Sequence, residues 1–216
     1  MRILIMKKNC YAVMFLLSAV SIILLSCSTA KISINKAEFQ KVNTIAIMEF
    51  DRSPGIDRAV AIECEEAFRG HFIDIGKSVV ERNKLSSILK EIEQSQTGII
   101  QNAEEIGRLS GAQALLFGNV TRNSEEIRWV EYKEYVKDPV TKKTETIIKK
   151  KKMKFFTFQV QARLISTANG TTVMTIMNEH PERSYEMTDS TTLTRYRANV
   201  LERMGKDLAK IVKKTD

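Results

Sequence analysis

The chain has 216 residues, of which 43% are hydrophobic and 28% charged, with only three prolines and nine glycines. This composition suits one ordinary domain with appendages and excludes collagenous and disordered chains. The formal charge of +8 is local: Arg2, Lys7 and Lys8 carry three of it, and eight lysines against Asp138 and Glu145 put +6 between residues 137 and 154, leaving the rest near neutral.

The first element is a targeting segment. Arg2, Lys7 and Lys8 form a positive start, and residues 11–25 form an apolar run of signal-peptide length. That run is shorter than the ~20 residues of a spanning helix. Leu24-Leu25-Ser26-Cys27 follows and resembles a bacterial lipobox. It pairs an aliphatic residue at −3 and a small residue at −1 with a thiol that takes diacylglycerol as a thioether. Cleavage before Cys27 would free an amine for a further acyl chain, such as palmitate. The signal peptide would then be residues 1–26, and the covalent lipid on Cys27 the only attached group expected. More than one acyl chain anchors stably. Cys10 would leave with the signal, and Cys64 would be the remaining free thiol, so no intramolecular disulfide is expected. An envelope location, with Ser28 suiting outer-membrane sorting, removes nucleic acid as a partner.

Residues 27–41 read as a tether without clear periodicity. Residues 42–50, "VNTIAIMEF", predict a buried strand broken by the turn chemistry of Ser53-Pro54-Gly55. Asp57 is the expected N-cap of a helix running to about Arg69, with Val60, Cys64 and Phe68 on one stripe and Gly70 as its end. "FIDIGKSVVE" reads as extended. Leu85, Ile88, Leu89 and Ile92 predict a helix from 83 to about 94. Asn102 begins another through a capping-box pattern with Glu105, placing Ile106 and Leu109 inward and closing at Gly111.

"AQALLFGNV" reads as a buried strand. Beyond Val120 the chain turns all-β. Phe156, Phe158, Val160, Ala162 and Leu164 alternate with Thr157, Gln159, Gln161 and Arg163. Asn169-Gly170 supplies a hairpin turn to "TVMTIM". Residues 190–213 form a last amphipathic helix. The fold class is α/β, a mixed sheet packed with helices, in one domain over 42–216 from which a charged β-hairpin protrudes at 121–154.

Three stretches carry a resemblance: "VNTIAIMEFDRSPGIDRAVAIECEEAF", "VVERNKLSSILKEIEQSQTGI" and "NAEEIGRLSGAQALLFGNVTR". They resemble the curli-secretion lipoprotein (CsgG) family over 42–120, and "FQVQARLISTANGTTV" is similar to its later strand pair. The resemblance implies a periplasm-facing α/β domain tethered by lipid to the outer membrane. Some members form an export ring walled by two β-hairpins per subunit. Related LpoB-like lipoproteins instead stimulate a peptidoglycan synthase. Here the first hairpin position is filled by a charged segment, and the 12 residues after Met177 are too few for a second spanning hairpin.

The hairpin is the informative remainder. Acids at 125–134 oppose lysines at 142–154, which suits a solvated arm. Trp129, Tyr132 and Tyr135, with Lys149, Lys150, Lys151 and Lys152, are the candidate contacts for an anionic surface or an envelope protein partner. Enzyme chemistry is not expected. His71 and His180 lack ligand-spaced neighbours, so no metal is expected, and Cys64 sits on an apolar stripe. The expectation is a non-enzymatic accessory or assembly component of a secretion or surface system, acting with a partner or with its own copies in a homo-oligomeric ring. The alternative is an LpoB-like synthase regulator.

Overall fold

The computed structural model describes residues 30–81, 83, 85–87 and 102–214; the signal peptide and Cys27 lie outside them. In chain order the elements are β1 (Ala30–Ile34), α1 (Lys36–Lys41), β2 (Thr44–Ile47), β3 (Asp51–Arg52), α2 (Arg58–Asp74), β4 (Ser78–Val79), α3 (Asn102–Ser110), β5 (Ala114–Lys137), β6 (Thr144–Ser166), β7 (Thr172–Asn178), β8 (Glu182–Glu186) and α4 (Leu193–Lys213). The sheet order is β1-β7-β6-β5-β2-β4, with β3 added beside β5 and β8 beside β6. β2 runs parallel to β4 and β5, whereas each neighbouring pair in the series β5, β6, β7, β1 is antiparallel. The expected mixed α/β architecture with a protruding hairpin is therefore present.

Period-two alternation sorts the sheet residues onto two faces. One face carries Ile45, Ile47, Leu116, Val160, Leu164 and Ile176, all buried beneath α2 and α4. Helix α2 contributes Val60, Cys64, Phe68 and Phe72, and α4 contributes Tyr196, Val200, Met204 and Leu208. The other face buries Ala46 and Leu115 against Val80, Leu85, Ile106 and Ala112. Of the helix expected over 83–94, Asn83 and residues 85–87 are helical, with Leu85 buried; the rest lies outside the described residues.

Three expectations need correction. The tether does not extend to 41: Ala30, Ile32 and Ile34 alternate inward as β1, and Asn35 caps α1 by accepting the Glu38 N–H. Helix α2 does not stop at Gly70. Its stripe continues to Phe72, which is fully buried, and that burial outweighs the ~1 kcal/mol cost of one helical glycine. The helix ends at Asp74 with Ile75 as its cap, and at the following Gly76, whose φ is +79°, Gly76 N–H donates to the Ile73 carbonyl and Lys77 N–H to the Phe72 carbonyl. The extended piece expected over residues 72–81 accordingly shrinks to Ser78–Val79.

Helices α2 and α4 approach closely at His71. Its Nε2–H donates to the Leu201 carbonyl at 2.9 Å, and a Cβ on Gly205 would come within 2.2 Å of its Nδ1. Burial holds the His71 pKa below its usual value, against opposing contributions from the Leu201 bond and Asp74. A base with a depressed folded pKa contributes stability that is complete above the unfolded value, ~6.5, and is lost as pH falls through the folded value. Wild type should therefore lose more stability than His71→Gln between pH 7.5 and 5.5 in parallel urea titrations. Equal losses would show that His71 titrates as it does in the unfolded chain.

Candidate functional site: a two-sided β arm

β5 and β6 pair continuously from Ala114↔Ser166 to Lys137↔Thr144. Past Asn123 and Phe156, which still meet α4, they leave the helices behind and project as an arm of roughly 45 Å, at ~3.3 Å per residue. A bulge lies between Val120 and Arg122 at its root. β8 adds a third strand along the base, pairing Glu182–Glu186 with residues 153–157. The segment after Met177 thus reinforces the arm. At the tip the Asp138 carboxylate accepts the Val140 and Thr141 N–H groups, which hold its pKa below the usual range. Lys142 makes the turn at φ +58°.

Register assigns every arm residue to a side. The side continuous with the α4-covered face pairs Ile127↔Lys154, Trp129↔Lys152, Glu131↔Lys150, Lys133↔Ile148 and Tyr135↔Thr146. The opposite, open side pairs Arg128↔Met153, Val130↔Lys151, Tyr132↔Lys149 and Glu134↔Ile147. The sequence-derived contact residues are therefore divided: Trp129, Tyr135, Lys150 and Lys152 lie on the α4 side, and Tyr132, Lys149 and Lys151 on the open side.

The two sides differ in electrostatics. On the open side three cations have a carboxylate, Arg128 with Glu126 (2.9 Å) and Glu182 (2.7 Å), Lys149 with Glu134 (2.5 Å), and Lys151 with Glu186 (2.8 Å), while Arg122 at the root has no ion pair among the described residues. These hydrogen bonds raise the pKa values of Arg128, Lys149 and Lys151, and the Arg128 bond lowers that of Glu182. On the α4 side only Lys150 meets a carboxylate, Glu131 at 3.0 Å. Lys152 stands 5.3 Å from the Trp129 ring centroid, Lys154 donates to the Asp189 and Thr191 carbonyls, and Lys133 has no ion pair among the described residues.

Neither side offers the apolar alternation a bilayer-spanning strand needs over ~9–11 residues. Lys150 and Lys152 face one way and Lys149 and Lys151 the other, and each lipid-facing lysine would cost ~2–4 kcal/mol at the midplane.

A second polar feature sits on the uncovered sheet face at the arm's root. Asp51, Phe117, Asn119, Gln161 and Arg163 line a shallow hollow of about 330 Å³. The Asn119 Oδ1 there is buried with no hydrogen-bond partner among the described residues. Alternation in "FQVQAR" places Gln161 and Arg163 on the polar side of their strand, but the sequence does not show which helices leave that side open.

Cys64 is fully buried, and burial first, then the neighbouring Glu63, pushes its thiol pKa up to about 12. It should resist a thiol-specific disulfide reagent in native protein and react promptly in denaturant. Fast native labelling would contradict the packing. Among the described residues no group of three or more His, Cys, Asp or Glu side chains is placed to hold a metal ion.

The family described as "Curli production assembly/transport component CsgG" matches residues 77–194, more than half of the chain. The protein belongs to this family. No curated protein matches. Among solved structures it is similar to a PelC dodecamer from Paraburkholderia phytofirmans, at 13% identity over 84% of this chain and 94% of that one, TM-score 0.45. It is also similar to lipoprotein GNA1162 from Neisseria meningitidis, at 13% identity over 76% and 98%, TM-score 0.44. The LpoB C-terminal domain from Escherichia coli is similar at 14% identity over 71% and 96%, TM-score 0.38.

Proposed function

We propose that this protein is a non-catalytic, lipid-anchored accessory component of an envelope secretion or surface-assembly system. Cys27 carries the acyl chains, the α/β domain sits on the periplasmic side of the outer membrane, and the arm makes the working contacts. The observation that carries this reading is the arm itself: a long, charged ribbon braced by β8, built to reach beyond the domain. Family membership supports an assembly role, and the buried, high-pKa Cys64 leaves no thiol nucleophile among the described residues.

The test has two readouts on full-length protein. Labelled palmitate should enter wild type and not Cys27→Ser, and only wild type should fractionate with membranes. The native mass of the lipidated protein in mild detergent should then exceed that of a monomer and fall when the arm is shortened to a turn between Arg128 and Met153, which are paired neighbours. A monomer unaffected by that deletion would exclude self-assembly through the arm and move weight to a tethered regulator of a cell-wall synthase.

A further inference from the structure

The first strand starts at the end of the sheet from which the arm leaves. β1 begins at Ala30, which pairs with Asn178; the Asn178 Oδ1 in turn accepts the Val160 N–H at 2.9 Å, at the arm's root. β1 runs antiparallel to β7, as does β6, so β1 enters the sheet in the same direction as β6 descends from the arm. Cys27 lies three residues before Ala30, so its Cα is within ~11 Å of that level of contour length. A membrane holding acyl chains on Cys27 would thus lie close to the root of an arm roughly 45 Å long. Projected along the membrane normal, the arm would have to pass through the ~30 Å hydrocarbon layer. Its lysines on both sides forbid that, so it must lie along the surface.

The two sides are not equivalent for such a surface. The four most exposed large hydrophobics of the paired strands, Ile127 (57%), Trp129 (63%), Tyr135 (70%) and Ile148 (63%), all fall on the α4 side. Their open-side counterparts Tyr132, Val136 and Ile147 are 38–41% exposed. The α4 side also holds Lys133 and Lys152, which have no carboxylate partner among the described residues, whereas Arg128, Lys149 and Lys151 of the open side are each ion-paired within the protein. Tryptophan and tyrosine favour the headgroup zone, and unpaired lysines complement anionic lipid.

We infer that the α4 side of the arm docks flat on an anionic phospholipid surface, with Trp129 in the headgroup zone. This deepens the proposed function and rests on its lipid anchor. Docking sets the height and orientation of the domain above the bilayer, which one flexible acyl attachment alone cannot do.

Trp129 is the chain's one tryptophan, so its emission reports this surface directly. Full-length acylated protein would be placed in vesicles of phosphatidylcholine, with or without phosphatidylglycerol. Its emission should move to shorter wavelength, with protection from acrylamide, only when phosphatidylglycerol is present. Raising salt to 1 M, where the screening length is ~3 Å, should reverse the change. Lys133→Gln and Lys152→Gln should each weaken docking about fivefold, while Lys149→Gln on the open side should leave it unchanged.

Protein that co-sediments with vesicles yet keeps Trp129 in water would overturn docking while the anchor stands. Unacylated Cys27 by mass spectrometry would overturn both. A shift that needs no anionic lipid and grows with protein density would assign the surface to a second copy, and so also overturn the inference.

Discussion

Replacing Gly118 by alanine should cost this protein ~3 kcal/mol of stability, and valine should cost more. A Cβ at 118 would stand 2.1 Å from Cε2 of Phe50, far inside contact distance. Phe50 has nowhere to go. It is 3% exposed, its ring centroid lies 5.6 Å from that of Phe68, and its N–H donates to Glu65 Oε1 at 2.9 Å. The glycine serves close approach, letting an aromatic ring lie against the start of β5 where any side chain would collide. Urea denaturation followed by circular dichroism would measure the effect as a lower midpoint at unchanged slope. Phe50→Leu in the Gly118→Ala background should recover part of the loss, because the shorter side chain relieves the collision. Wild-type stability in Gly118→Ala alone would refute the contact.

Much of this architecture was legible because local patterns and tertiary burial agree. The alternating run from Phe156 to Leu164 is buried on its apolar side, and the α2 stripe of Val60, Cys64 and Phe68 faces the sheet. Asp57 caps α2 as its residue type predicts, its Oδ1 accepting the Ala59 N–H at 2.9 Å. The misread pieces are those whose stability is non-local. β1 holds only five residues, paired with a strand 140 or more positions later, and β8 gains its place by pairing with β6 and by packing Tyr185 against Tyr196 of α4. Glycine at 70 signals an end that the burial of Phe72 overrides.

The arm shows the same division. Opposition of acids and lysines was readable, and Glu131 does face Lys150. The grouping of Trp129, Tyr132 and Tyr135 ignored parity, since odd and even positions of a strand point to opposite sides. Which lysine meets which aromatic depends on the bulge near Val120 and on the 138–143 turn, because a one-residue slip would exchange the partners.

The second large effect concerns Arg197, which ties α4 to α2 and to the root of the arm. Its side chain is buried, with Nε and Nη2 donating to Glu63 Oε2 at 3.1 and 2.7 Å and Nη1 to Asn123 Oδ1 at 3.4 Å. Removing one partner of a buried pair costs ~3–5 kcal/mol. Because Glu63 keeps about a third of its side-chain exposure, water can compensate part of that, and Arg197→Met should cost ~2–3 kcal/mol. Arg197→Lys should rescue little, since one ammonium cannot reproduce the paired bonds to Glu63 while also reaching Asn123. Adding Glu63→Gln to Arg197→Met should restore much of the stability, because the stranded carboxylate is then gone. Hydrogen exchange supplies an independent readout: amides of residues 122–126 should exchange faster in Arg197→Met, while those of residues 160–164 should follow only the global loss. Uniform acceleration across both stretches would mean that Arg197 contributes to the core without holding the arm's root.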